Sequence, residues 1–317
     1  MIEIRNLEGN VIHEVEGDDL IDADLKGVCL KGADLICSDL SGADLSGANL
    51  ESVDLTGATL EEADLSGANL RNANLEKANL ESVDLKGCNL VNANLKGANL
   101  VDANLVDANL VDANLKDADL RGANLRFKNM MRANLKNANL EGGDLAYANL
   151  INANLEDANL RNARLLGSIL ISANLKWADL RQAYLKDAIL KYSRLDGANL
   201  ENATLPDYVI CPEKGSFIGY KKVYLNGVPP CVAELKITGE RTSTLMSRKC
   251  RCSKARVMKI TDYNGKEVKG VFDSHHHMSF KYEKGKVVVP NRYCDDIRIE
   301  CSNGIHFFMT RKEAVEY

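Results

Sequence analysis

The sequence predicts an all-β chain: a long solenoid of five-residue units followed by a small mostly-β domain. Three observations predict it. Every fifth residue from 20 to 205 is Leu, with Met130 the one exception. A small residue sits two places before most of these leucines, as at Ala23, Ala33, Ala43 and Ala48. The pattern stops at Leu205-Pro206, where short apolar runs separated by Gly-containing turn signals take over.

The unit reads Ala-Asn/Asp-Leu-x-x. A period of five fits neither the 3.6 residues per turn of an α-helix nor a heptad. In extended chain, Ala and Leu lie two apart and point the same way. The other two residues break that alternation and turn the chain. Each unit is therefore a short inward-facing segment plus a corner. Asn or Asp beside Leu suits hydrogen bonding to corner backbone groups. The chain is 45% hydrophobic but only 5% aromatic, so the core is expected to be aliphatic and small.

The run Ala-Asn-Leu-Val-Asp-Ala-Asn-Leu, repeated within 98–110, resembles the pentapeptide-repeat proteins. That resemblance covers residues 20–205 and implies a right-handed quadrilateral β-helix, with four units and 20 residues per coil. About nine coils follow, a stack of roughly 45 Å at ~4.8 Å per coil. Such a rod has about the girth of duplex DNA. Ahead of it, residues 1–19 read as a β-hairpin cap. Ile2, Ile4, Val11 and Val15 flank the turn signal Glu8-Gly9-Asn10, and the hairpin is expected to cover the open edge of the first coil.

Folding the sequence at twenty places residues in columns. Asp24, Asp44, Asp64 and Asp84 form an acidic column, with Glu61 and Glu81 near it. Such Asp residues can cap corner backbone as Asn does, or present charge to a partner. Val91, Val111, Met131, Ile151 and Ile171 form an apolar stripe at the first position after Leu, with Phe127 and Tyr147 at the adjacent corner. A contiguous apolar stripe marks contact, either with the chain's own second domain or with an external partner. Lys128 breaks the pattern at the small inward position, and the cost of a buried ammonium predicts that it swings out at a distorted corner.

Charge is uneven. Residues 20–120 hold 18 acidic and 7 basic groups, residues 121–205 hold 8 and 12, and residues 206–317 hold 13 and 20. The domain at 206–317 is expected to contain strands at 216–224, 232–238, 256–262, 278–282, 286–289, 297–300 and 305–309. Asn264-Gly265, Lys284-Gly285 and Asn303-Gly304 are expected as hairpin turns. The segments Cys211-Pro-Glu-Lys-Gly-Ser-Phe-Ile-Gly-Tyr and Gly304-Ile-His-Phe-Phe-Met-Thr-Arg-Lys-Glu-Ala look similar to a module that follows pentapeptide repeats in some bacteriophage and large-virus proteins. Arg248, Lys249, Arg251, Lys254 and Arg256 make a basic patch, expected on a solvated strand and loop. It lacks interleaved aromatics, so a base-stacking platform for nucleic acid is not indicated.

Cys250, Cys252, Cys294, Cys301, His275, His276, His277 and His306 raise the question of zinc. The Cys-x-Cys spacing does not match a structural zinc site, and free thiols are expected. No catalytic constellation, metal or cofactor is assigned. No run of ~20 apolar residues indicates a membrane span, and a cytoplasmic setting is expected, that of the host if the chain is phage-encoded.

Three functions remain open. The first is a non-enzymatic protein-binding solenoid, an acidic DNA mimic that inhibits a host DNA-handling or anti-phage defence complex; some pentapeptide-repeat proteins bind DNA gyrase. The second is a scaffold or assembly protein, including a homo-oligomer, that uses the apolar stripe. The third is an enzymatic or metal-binding activity in the C-terminal domain.

Overall fold

The corner chemistry dictates the solenoid. In each unit the small residue's N–H donates to the Leu carbonyl three residues back, as from Ala48 to Leu45 at 3.0 Å. The residue before the small one has positive φ: Gly47 at 67°, Asn72 at 58°, Asp107 at 60°. This is a type II turn, whose third residue must be left-handed. Gly, Asn and Asp accept that conformation most readily, which explains their frequency there.

The computed structural model describes residues 1–206, 215–243, 249–274, 280–290 and 304–316. It is all-β in class, with a four-sided β-helix followed by a small β domain. The chain divides into two compact units, Met1–Pro206 and Asp207–Tyr317.

Coils stack twenty residues apart through parallel bridges such as Asp44↔Asp64 and Asn69↔Asn89. An intact rung has three bonds: Leu45 N donates to Asp64 O at 2.7 Å, Asp64 N donates to Ala43 O at 3.0 Å and, at the corner, Gly47 N donates to Ser66 O at 2.8 Å. The Leu and Ala side chains point in, and from the second coil onward nearly all are sealed from solvent. Each buried Leu contributes roughly 1.5–3 kcal/mol. The side chain beside Leu reaches forward to the next corner: Asp64 Oδ1 accepts from Ser66 N at 2.8 Å, and Asn99 Oδ1 from Val101 N at 3.2 Å.

At the N-terminus β1 (Ile2–Arg5) and β2 (Val11–Val15) pair antiparallel, Ile2 opposite Val15, with a register shift after Ile4. The hairpin attaches to one side of the first coil, where Asp34 N donates to Arg5 O at 2.8 Å and Asn6 bridges Ala33. It covers that side alone, so the expected cap is partial. Ala23, Val28 and Ser38 of the first coil stay partly exposed.

The second unit opens on a long hairpin, β3 (Phe217–Leu225) and β4 (Val228–Ile237), joined through Asn226-Gly227 with Gly227 at φ 76°. Then come β5 (Arg241–Ser243), β6 (Cys250–Cys252), β7 (Ala255–Thr261), β8 (Phe272–Asp273), β9 (Lys281–Tyr282), β10 (Val287–Val288) and β11 (Ile305–Phe307). They form a six-stranded sheet, order β10-β7-β4-β3-β8-β9, and a three-stranded sheet, order β11-β6-β5. The sheets meet closely: a Cβ on Gly219 of β3 would lie 2.5 Å from the Phe307 ring of β11. A short helix α1 (Arg311–Glu316) follows.

One expectation is corrected here. Lys284-Gly285 does not make a hairpin, because β9 and β10 stand at opposite ends of the six-stranded sheet. Only four residues link them, so that sheet must roll up until its edges approach. Beyond the expected 305–309 strand, where no element was expected, the chain turns into α1. The 297–300 strand, the Asn303 end of its turn signal and the start of the 278–282 strand lie outside the described residues.

Candidate functional site

The corners sort the outer residues into four faces. Along an extended segment side chains alternate, so residues 127, 129 and 131 point out while Lys128 and Met130 point in. Met130 and Lys128 are both buried, and Phe127 is 66% exposed. Hydrogen bonds confirm which outer residues share a face. Asn74 Nδ2 donates to Thr56 Oγ1 at 2.7 Å, and Arg126 Nη1 to Asp144 Oδ2 at 3.2 Å, each linking the residue beside Leu to the residue after Leu one coil away.

One face is unlike the others. Val91, Val111, Met131, Ile151 and Ile171 run down one border, each half-buried rather than fully outward, because each rung shields the next. Phe127 and Tyr147 stand on the opposite border of this same face. Their rings stack with centroids 5.1 Å apart and planes 6° apart. The middle is an amide ladder, with Asn149 Nδ2 donating to Asn129 Oδ1 at 3.2 Å. In the next two coils this ladder gives way to Ile169 and Ile189, which the sequence reading passed over. Tyr147 lies over the Gly167 corner, where a Cβ would meet the ring at 2.6 Å.

The neighbouring faces carry ion pairs in the same coils. Lys96 meets Glu76 at 2.9 Å and Lys136 meets Glu156 at 2.6 Å on one side, and Arg126 meets Asp144 at 3.2 Å on the other. Hydrogen bonds across these pairs hold the Glu76 and Glu156 carboxyls below the usual range and the Lys96 and Lys136 ammoniums above it.

The acidic column runs as one continuous ladder, Asp24↔Asp44↔Asp64↔Asp84. Each carboxylate caps its corner: Asp24 accepts from Lys26 N, Asp44 from Ser46 N and Asp84 from Lys86 N. That bonding with Ser46 lowers the Asp44 pKa. Glu61 and Glu81 stand across the corner, on the face of Asn79 and Asn99, whose amides donate to them at 3.5 and 3.0 Å.

Lys128 corrects an expectation. It does not swing out; it is 4% exposed at the inward position, with Phe127 before it at φ 58°. Burial lowers its pKa, and Asp107 nearby works against that shift. The ladder opens here instead. Among the described residues no bond joins Leu105 N to Asn124 O or Asn129 N to Ala108 O, and the bridge between Asn104 and Asn124 is missing. The rungs on either side are intact.

The basic patch does not form one surface. Arg251 and Lys249 are buried, while Lys254 and Arg256 are exposed. The reason is the second sheet: β6 lies between β5 and β11 and is covered on both faces. Arg256 donates to Gly285 O at 3.0 Å. Arg248 lies outside the described residues. So do Cys294, Cys301, His275, His276 and His277, while Cys250 and Cys252 are buried and His306 lies on β11. Among the described residues no group of three or more His, Cys, Asp and Glu is placed to hold a metal, and no helix is long and apolar enough to cross a membrane.

Comparisons with known proteins give two family matches. The family described as "Pentapeptide repeats (8 copies)" matches residues 19–51, 48–87, 88–126, 129–167 and 168–205, leaving out 127 and 128. A family of unknown function, DUF5758, matches residues 207–314. No curated protein matches. Among solved structures, the chain is similar to HetL, a pentapeptide repeat protein involved in heterocyst differentiation regulation in the cyanobacterium Nostoc. The identity is 37%, covering 58% of this chain and 85% of HetL, with a TM-score of 0.35. A pentapeptide repeat protein of the Arabidopsis thaliana thylakoid lumen matches at 35% identity over 31% of this chain and 68% of its own, TM-score 0.30. QnrB1, a plasmid-mediated fluoroquinolone resistance protein, matches at 18% over 57% and 91%, TM-score 0.35.

Proposed function

The chain belongs to the pentapeptide-repeat family, and from that premise we propose that it is a non-enzymatic docking solenoid that holds a protein partner on its apolar face. One observation carries the reading: a single face of four is apolar through successive coils, while its neighbours in those coils are ion-paired. The fold needs no apolar outer residue, since Lys, Glu and Asn serve at the same positions elsewhere. An exposed apolar run of this kind marks a contact surface. Met131→Lys with Ile151→Lys tests it by affinity capture from the native host with mass spectrometry. Loss of the captured partner is expected; an unchanged set of captured proteins sinks the reading.

A second reading has its own support. The Asp24–Asp44–Asp64–Asp84 ladder sets one carboxylate per rung along a rod of duplex-like width, which suits an acidic DNA mimic directed at a DNA-handling or anti-phage defence complex. Replacing all four with Asn keeps the corner cap and removes the charge. Binding to a DNA-handling partner that survives this change rules the mimicry out. The exposed free thiols of Cys29 and Cys37 fit a cytoplasmic setting.

A further inference from the structure

The apolar face also indicates the shape and charge of what it holds, and this inference rests on the docking reading above. From 127 to 131 the face is four residues of extended chain wide, roughly 13 Å at ~3.3 Å per residue. From Val111 to Ile189 it spans four coil steps, roughly 19 Å at ~4.8 Å each. That plane is roughly 250 Å², far below the ~800 Å² per partner of a standard stable complex. A second copy of the rod, or a broad globular surface, therefore finds too little apolar area here. An α-helix, ~10 Å across and rising ~1.5 Å per residue, covers the plane in about 13 residues.

The backbone excludes an added strand across most of the face. Its N–H and C=O groups are taken by the coils above and below, as Met130 N by Asn149 O at 2.9 Å and Leu150 N by Ile169 O at 2.8 Å. The corner N–H of Met131 and of Ile151 goes to the preceding Asn Oδ1. Contact must come from side chains, which is how an amphipathic helix binds. The border charge over the Met131, Ile151 and Ile169 coils and the one beyond is mainly basic. Residues 126–132, 146–152, 166–172 and 186–192 present Arg126, Arg132, Lys186 and Lys191 against Asp187, with Lys128 buried beneath; one coil back stand Asp107 and Asp112, the latter paired with Arg132. Phe127 stands 66% exposed beside Arg126, whose guanidinium lies 5.4 Å from its ring centroid.

The geometry points to an acidic amphipathic helix of three to four turns, lying along the rod on Met131, Ile151 and Ile169 with Phe127 and Tyr147 at its side. Complementary charge at such a rim speeds and orients docking.

The test uses the full chain and a displayed library of 16-residue peptides. One half carries apolar residues at i, i+3, i+4 and i+7, the other alternates apolar and polar, and polar positions are random in both. The expected winners have the helical pattern and net negative charge. They should bind Met131→Lys/Ile151→Lys at least about tenfold more weakly, and Phe127→Ala more weakly as well. Circular dichroism of the variants establishes that the solenoid is intact. Winners that alternate, winners that are basic, or no winner that depends on the face overturns the inference. Sedimentation at rising concentration covers self-association: a dimer dissolved by the double variant also overturns it. If host capture still depends on the face while the helical peptides fail, the occupant is wrong but the docking reading stands. If both fail, the docking reading itself is lost.

Discussion

The apolar face and its ion-paired neighbours share a backbone, a corner and a core. Leu150 lies beneath the apolar face and Leu155 beneath the next one, and both are fully buried. Ile151 follows the first leucine and Glu156 the second, and each donates its N–H to the preceding Asn, at 3.2 and 3.3 Å. Only the outward side chains differ. What holds the rod together is therefore separable from what it presents, and substitutions can act on one without the other.

The largest expected effects lie in the shared core. Leu150→Ala and Leu155→Ala should each cost about 2–5 kcal/mol by urea unfolding, with no systematic difference between them. A clear difference would mean that the outer side chains help hold the core, and the separation would break.

Next come the corners. Gly142 has open space at its missing Cβ, whereas Gly167 has the Tyr147 ring at 2.6 Å; both have positive φ, 67° and 61°. Gly142→Ala should cost about 1 kcal/mol from left-handed backbone, and Gly167→Ala about 1–2 kcal/mol more by displacing the aromatic stack. Equal losses would show that the Phe127–Tyr147 stack is loose.

Lys128 sharpens the contrast from inside. Lys128→Ala should let the open rungs close and raise stability by about 1–2 kcal/mol, at about 0.5–1.5 kcal/mol per hydrogen bond regained. The gain should depend on pH. The folded-state pKa of Lys128 is depressed below 10.5, so between the two values the unfolded chain binds more protons and wild-type stability rises with pH. The advantage of Lys128→Ala should therefore shrink as pH climbs to about 10.5, as followed by urea midpoints; a constant advantage would place the cost in side-chain bulk alone.

The smallest effect is expected at the ion pairs. Arg132 reaches Asp112 through two bonds of 2.6 Å, yet both side chains are solvated. Arg132→Gln should leave the urea midpoint within error at physiological salt. The Asp112 carboxyl is held below 3.8 by Arg132, so whatever the pair adds is present above that pH and fades as pH falls through the lowered value. A large midpoint shift at neutral pH would give the ion-paired faces a structural role after all.

Much of this was legible in the residues. The Leu period, the inward small residue and the Asn/Asp corner cap follow from spacing alone. The columns Met131–Ile151 and Phe127–Tyr147 came from counting in twenties. Their membership in one face did not, because counting fixes what stacks on what, not which side of a corner a residue occupies. Ile169 and Ile189 were hidden for the same reason. In the second unit the two-residue Asn226-Gly227 turn and the capping box of Thr310 and Glu313, with bonds of 3.0 and 3.2 Å, were readable signals that were passed over. The burial of Lys249 and Arg251 was not readable, since it depends on β11, more than fifty residues along the chain.

By itself, then, the sequence determined the solenoid, because a five-residue period makes every unit repeat the same local turn and bury the same two side chains. Only the tertiary structure decided which outer columns merge into one apolar face, how far the hairpin covers the first coil, and where Lys128 opens the ladder. Those outcomes depend on neighbours twenty or more residues away, and on how side chains of unequal bulk share a fixed spacing between coils.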